Sequence, residues 1–113
     1  MKDKKLTVLF LCKTNAVRSQ FAEALLNKIA PLKFNVISAG VEPDFSKFKD
    51  TDGIDPMALK ILKDSRYFVQ GLKKKSWKDF ENYDGKIDFV FTLSETAERE
   101  ALKEGIKFPG DPN

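Results

Sequence analysis

The sequence predicts an α/β fold, a three-layer sandwich on a mainly parallel sheet, and three observations lead there. Three short apolar runs, Leu6 to Leu11, Phe34 to Ile37 and Ile87 to Leu93, have the length and density of strands, the first suited to burial on both faces. Segments with apolar residues at helical spacing alternate with these runs. Proline, glycine and capping residues fall at the joins.

The first strand, LTVLFL, gives way at residues 12–17 to a polar loop. From Arg18 to Ala30, Phe21, Ala22, Leu25, Leu26 and Ile29 recur at helical spacing, and Pro31 stops the helix. Phe34 to Ile37 is closed by Ser38-Ala39-Gly40, and the polar stretch Val41 to Gly53 reads as a surface loop. Asp55 is an N-cap with Pro56 at the first helical position, followed by Ala58, Leu59, Ile61 and Leu62. The basic run Lys73 to Lys75 reads as a solvated edge, and Ser76 caps a short helix carrying Trp77 and Phe80. After the third strand, Ser94 caps a helix through Glu104, which Gly105 terminates.

A length of 113 residues fits one domain, residues 1–113, and 42% hydrophobic content supports a core. A net charge of +3 is a mild excess that implies a mixed, solvated surface, with no nucleic-acid partner expected. No apolar run reaches membrane-span length, so no membrane partner is expected either. Met1 to Lys5 leads straight into the first strand and lacks the features of a signal peptide. The single cysteine rules out an intramolecular disulfide and suits the reducing cytosol, so a cytoplasmic location is expected. One cysteine and no histidine make a structural zinc site improbable, and no metal is expected. The lack of histidine also removes every Ser-His, Cys-His and histidine-base mechanism.

In parallel sheets ligands sit beyond the carboxyl ends of the strands, which is where Cys12 stands. The six-residue step from Cys12 to Arg18, between a strand and a helix, can curl into a cup. The backbone N–H groups of Lys13, Thr14, Asn15, Ala16 and Val17 would then face an anion, with the positive end of the helix behind them. Arg18 can meet two oxygens of a phosphoryl group at once. The same field favours thiolate over thiol, which makes Cys12 a nucleophile toward phosphorus or arsenic. Asn15 tolerates a left-handed backbone in such a loop, and Ser19 can donate its hydroxyl to the sulfur. A lone cysteine after an apolar run is most often a small buried hydrophobe, and C-x5-R alone is a weak signal. The order strand, cysteine, polar loop, arginine, amphipathic helix is what gives it weight.

The segment Cys12 to Arg18 followed by Ser19-Gln20-Phe21-Ala22-Glu23 resembles the signature of the low-molecular-weight protein tyrosine phosphatases and the thioredoxin-coupled arsenate reductases that share their fold. Gln20 and Ala22-Glu23 resemble the reductase branch. Ser38-Ala39-Gly40, Pro56-x-Ala58 with Leu62-Lys63, and Phe91-Thr92-Leu93 match further family elements. The resemblance implies that Cys12 attacks the phosphoryl or arsenyl centre, that Arg18 and the loop amides hold the equatorial oxygens, and that an aspartic acid protonates the leaving group. It implies a phosphate, arsenate or sulfate ligand, with a phosphotyrosine protein as one substrate class.

The sequence departs from the family in three places. Val17 stands where many of the phosphatases carry a second loop cysteine. Residues 94–100 lack the two relay cysteines of the reductases, so no cofactor is expected beyond an external thiol, such as glutathione or mycothiol, if arsenate is reduced. Asp111-Pro112 is the one late Asp-Pro pair and makes Asp111 the nominal general acid, yet residues 108–112 better resemble the bend before the family's fourth strand. By that alignment the general acid, last strand and last helix lie beyond Asn113 and the domain is C-terminally truncated. The free third-strand edge could then pair with another chain.

Three functions stay open at this point. One is an enzyme acting on phosphate monoesters or on arsenate; Gln20 and Ala22-Glu23 favour the reductase, the missing relay cysteines the phosphatase. Another is an oxyanion-binding or sensing module with weak turnover. The last is a phosphocysteine carrier, against which Arg18 argues. Lys13 could lean over the pocket mouth and Phe45 and Phe48 could line its rim, although each reads more simply as surface or packing. Asp50, Asp52 and Asp55 read as turn and cap residues before an acidic patch.

Overall fold

A computed structural model describes residues 5–81, 83 and 86–105. Three strands, β1 (Leu6–Cys12), β2 (Phe34–Gly40) and β3 (Phe89–Thr92), form one parallel sheet in the order β2-β1-β3. The helices are α1 (Arg18–Ile29), α2 (Pro56–Asp64) and α3 (Glu95–Glu104), with 3₁₀ turns at Lys49–Thr51 and Trp77–Phe80. The predicted α/β architecture is therefore the one observed.

Alternation along the strands builds the layers. Leu9 pairs with Ile37 and Leu11 with Ala39, so these side chains share one face. There they pack with Trp77, Ile87 and Ala97 of α3. Ser38, between Ile37 and Ala39, points to the opposite face and hydrogen-bonds Glu23 of α1. A second cluster lies beyond α1, where Ala24 meets Ile54, Ala58, Leu62 and Leu72. Burial of these side chains, worth about 1.5–3 kcal/mol for each large aliphatic, closes the sheet on both sides.

The caps act as the sequence predicts. The Asp55 carboxylate accepts from the Met57 N–H, Ser76 forms a capping box with Asp79, and Ser94 Oγ accepts from the Ala97 N–H. Gly105 ends α3 with φ of 66°, a left-handed turn that suits glycine. β2 runs on through the Ser-Ala-Gly segment because Gly40 still pairs with Cys12. β3 is shorter than its apolar run, although Ile87 is fully buried and the Asp88 and Leu93 N–H groups still bond Thr7 and Leu11 of β1.

The basic run contradicts its sequence reading as a solvated edge. Lys74 is only 6% exposed, and its Nζ donates to the Asp44 carbonyl at 2.7 Å. Lys75 pairs with Glu23 at 3.5 Å, each side chain 12% exposed. The cause is the path of the chain. Residues 73–76 pass beside the end of β2, where the Gly40 N–H donates to the Lys75 carbonyl, and Gly53 leaves room for the Lys74 methylenes. Only Lys73 of the three is exposed. No helix among the described residues is long and apolar enough to cross a membrane.

Candidate functional site

β1 delivers Cys12 to the carboxyl edge of the sheet, and residues 13–17 turn the chain into α1. The carbonyls of this loop are taken up from outside. Val41 N–H donates to Cys12 O, Glu42 N–H to Lys13 O, Asp55 N–H to Ala16 O, and Gln20 Nε2 to Asn15 O. A trans peptide sends its N–H away from its carbonyl, so the amides of Lys13, Thr14, Ala16 and Val17 are directed to the inner side of the turn. Val17, at the N-cap of α1, makes no side-chain cap bond, and the first turn of α1 has no acidic residue. Its first amides are left to an anion.

Gly40 permits this turn to sit against β2. A Cβ there would stand 2.9 Å from the Lys13 carbonyl oxygen and 2.9 Å from the Thr14 carbonyl carbon. These are backbone atoms, which cannot swing aside.

The Cys12 sulfur lies 3.1 Å from the Asn15 N–H nitrogen and 2.9 Å from Ser19 Oγ. Asn15 determines the direction of the second contact. Its backbone is left-handed at φ of 58°, and its side chain is fully buried. The Lys75 backbone N–H, which can only donate, reaches Asn15 Oδ1 at 2.6 Å. Asn15 Nδ2 must therefore be the amide nitrogen, and it donates to Ser19 Oγ at 2.6 Å and to Ser38 Oγ at 3.0 Å. Ser19 accepts from Asn15, so its own hydrogen is free for the sulfur. A hydroxyl that donates to sulfur stabilises the thiolate form.

Gln20 braces the assembly from within. It is fully buried, and Nε2 donates to Asn15 O at 2.9 Å and to the Lys73 carbonyl at 2.8 Å. Its Oε1 has no partner among the described residues, a desolvation cost that the bracing must offset.

Above the sulfur opens a cleft of about 290 Å³, lined by Cys12, Lys13, Thr14, Val17 and Arg18 of the loop and by Ser94 and Thr96 where α3 begins. Lys13 and Arg18 give the lining two positive charges and no carboxylate. Arg18 is exposed and holds lightly to the far wall, with Nη1 3.5 Å from the Leu93 carbonyl. The predicted loop residues thus divide. Cys12, Lys13, Thr14, Val17 and Arg18 face the cleft, while the side chains of Asn15, Ala16 and Ser19 are buried behind it. Phe45 and Phe48 are not in the lining, and Asp111 lies outside the described residues. Asp55 is occupied as a cap, and no group of three His, Cys, Asp or Glu side chains gathers to hold a metal among the described residues. Sequence reasoning took Ser94 for a cap alone and passed over Thr96. Their place just after a parallel strand is the signal that would have found them.

Residues 7–108 match the family model described as low molecular weight phosphotyrosine protein phosphatase. Arsenate reductase 1 of Bacillus cereus is 42% identical over 64 residues, 57% of this chain and 41% of that relative. Arsenate reductase 1 of Staphylococcus epidermidis is 39% identical over 61 residues, 54% of this chain and 40% of the relative. The matches thus span about two fifths of these relatives' length. Among solved structures, the thioredoxin-dependent arsenate reductase of Corynebacterium glutamicum superposes with a TM-score of 0.64 at 26% identity, over 98% of this chain and 48% of that one. A YwlE mutant from Bacillus subtilis gives 0.68 at 23% identity over 88% and 64%, which bears on the fold alone.

Proposed function

Because the chain belongs to the low molecular weight phosphotyrosine protein phosphatase family, we propose that it is a cysteine-dependent enzyme acting on a tetrahedral oxyanion, with arsenate as the favoured substrate and an external thiol as reductant. One observation carries the reading. The Cys12 sulfur, held by an amide and a hydroxyl, forms the floor of a cleft whose only charged walls among the described residues are Lys13 and Arg18.

Arg18 and the inward amides would hold the oxygens while the Cys12 thiolate attacks arsenic and an arsenate hydroxyl, taking one proton from solvent, leaves as water. An external thiol then attacks the Cys12 sulfur. The S–As bond breaks with its electron pair left on arsenic, which gives arsenite and a mixed disulfide. A second thiol releases Cys12 and carries away the other half of the disulfide, so two thiols supply the two electrons. Within this sequence no second cysteine could take the place of the external thiol. The short or polar side chains of Thr14, Val17, Ser94 and Thr96 around the charged pair suit a small anion, and the curated relatives cited above carry the name arsenate reductase. A structurally similar arsenate reductase in its phosphate-binding state supports phosphate as a ligand of the same cup.

Phosphomonoester hydrolysis is the second reading, favoured by the family description. There the thiolate attacks phosphorus, the alcohol leaves with a proton, and water hydrolyses the phosphocysteine.

The deciding experiment measures arsenate-dependent thiol oxidation and aryl phosphate hydrolysis on the same preparation, with Cys12→Ser as the control. Arsenate-dependent oxidation lost in Cys12→Ser supports the first reading, and hydrolysis alone supports the second. Neither activity, with phosphate still slowing alkylation of Cys12, leaves an oxyanion-binding module. Alkylation indifferent to phosphate and arsenate overturns the oxyanion reading altogether.

A further inference from the structure

We infer that Lys13 selects the reductant, taking the carboxylate of a small anionic thiol while Arg18 holds the oxyanion. The inference rests on the reading of Cys12 as a thiolate regenerated by an external thiol, and it names the chemical class of that thiol.

The two cations of the cleft are anchored on opposite sides of the sulfur. In the sheet order β2-β1-β3, Cys12 ends the central strand. The Lys13 backbone lies on the β2 side, where its carbonyl accepts from the Glu42 N–H at 2.7 Å and sits against Gly40. The Arg18 guanidinium leans the other way, with Nη1 near the carbonyl of Leu93, the residue after β3. Arg18 also opens α1, so the anion it holds is shared with the first amides of that helix. Lys13 is exposed, lines the cleft and forms no ion pair among the described residues.

The cleft has both room and charge for a second anion. At about 30 Å³ for each water-sized oxygen, a tetrahedral oxyanion fills less than half of its 290 Å³. Glu42 and Glu95, the carboxylates nearest along the chain, are exposed and outside the lining. Such a site draws in negative reactants and disfavours positive ones. With one cysteine in the sequence, the reactant that frees Cys12 is a separate molecule. In that step the incoming thiolate attacks the sulfur that the first thiol left on Cys12. The new S–S bond joins the two small thiols, and the Cys12 sulfur departs with its electron pair as thiolate. A carboxylate a short chain away from the incoming sulfur meets the Lys13 ammonium, whose flexible stem can follow it.

The test loads Cys12 with mercaptoethanol as a mixed disulfide and follows its release by mass spectrometry. The releasing thiols are mercaptopropionate, mercaptoethanol and cysteamine, which carry a negative charge, none and a positive charge. Wild type is compared with Lys13→Met, Lys13→Arg and a distant control, Lys33→Met, just before β2 at the opposite end of the sheet. Circular dichroism checks folding. The readout is the mercaptopropionate rate over the mercaptoethanol rate, so intrinsic thiol reactivity cancels between proteins. Lys13→Met should lower this ratio about 3–10-fold and Lys13→Arg should hold it within about 2-fold, with Lys33→Met like wild type. The cysteamine rate over the mercaptoethanol rate should rise in Lys13→Met. An unchanged mercaptopropionate ratio in folded Lys13→Met overturns the inference, and so does an equal fall in Lys33→Met, which marks net charge alone. Loss of phosphate protection in Lys13→Met as large as in Arg18→Ala also overturns it, since both cations then hold one anion. Should Cys12 fail to load, the rate of iodoacetate over iodoacetamide alkylation gives the equivalent ratio; a sulfur closed to both ends the inference. Release needs no arsenate, so a protein that ignores arsenate and phosphate loses the oxyanion reading while the ratios still judge Lys13.

Discussion

Gly40 lies so close to Lys13 that a Cβ on the glycine would stand 2.9 Å from the lysine carbonyl oxygen. The Lys13 carbonyl is held there by the Glu42 N–H at 2.7 Å, so the loop has no slack on that side. Gly40→Ala should push residues 13–15 toward the cleft and disturb the Asn15 N–H on the sulfur. Overpacking of this kind costs about 1–3 kcal/mol, and phosphate protection of Cys12 should weaken about 10-fold or more. Urea unfolding and protection assays check both. A variant that binds phosphate like wild type shows that the loop can shift without losing the cup.

Arg18 is exposed, and its 3.5 Å approach to the Leu93 carbonyl is its one side-chain hydrogen bond among the described residues. Removing it should change stability by less than about 0.5 kcal/mol. Two charge-assisted hydrogen bonds to an oxyanion, at about 1.5–3 kcal/mol each, set the scale for binding. Arg18→Ala should weaken phosphate about 100-fold or more. Arg18→Lys, which keeps the charge without the planar fork, should fall between. Titration calorimetry reads the affinity and a thermal melt the stability; a lysine variant equal to wild type contradicts bidentate holding.

Asp55 accepts from the Met57 N–H at 2.9 Å and opens α2, whose Ala58 and Leu62 complete the cluster against α1. Asp55→Ala should cost about 1 kcal/mol, within the range of about 0.5–2 for such caps. The Asp55 backbone N–H on Ala16 O survives the change, so oxyanion affinity should move little. A thermal melt beside a phosphate titration separates the two effects, and a matching loss of affinity shows that the cap also holds the loop.

The legible parts of this protein were those set by local pattern. Apolar runs gave three strands in parallel order, and Asp55, Ser76, Ser94 and Gly105 marked helix boundaries through capping chemistry that depends on near neighbours. Cys12, Arg18 and Ser19 could be singled out because one short segment carries them all, and the structure places them at one turn. What stayed hidden depends on contacts distant in sequence. Gln20 looked like a branch marker, yet it ties Asn15 to the Lys73 carbonyl, 53 residues away. Lys74 and Lys75 looked like solvated charge because nothing local tells that the chain passes behind the loop. Thr96 reaches the cleft only through the pairing of β3 with β1.

Lys75 also gives stability a signed dependence on pH. Burial pushes its ammonium below the ordinary lysine value of 10.5, and the facing Glu23 carboxylate offsets part of that push. A lysine depressed in the folded state costs stability while it is protonated. Between its folded value and 10.5 the unfolded chain holds more protons than the folded one, so stability rises with pH across that window. Other lysines and tyrosines titrate nearby, and a comparison with Lys75→Met cancels them. Wild type should gain on Lys75→Met in urea unfolding free energy as pH climbs toward 10.5 from the alkaline side of neutral. Lys74, which burial depresses in the same direction while the Asp44 carboxylate opposes it, should behave alike in Lys74→Met. A gap that moves against wild type over that range means the ion pair outweighs burial, with the Lys75 value raised and the sign reversed.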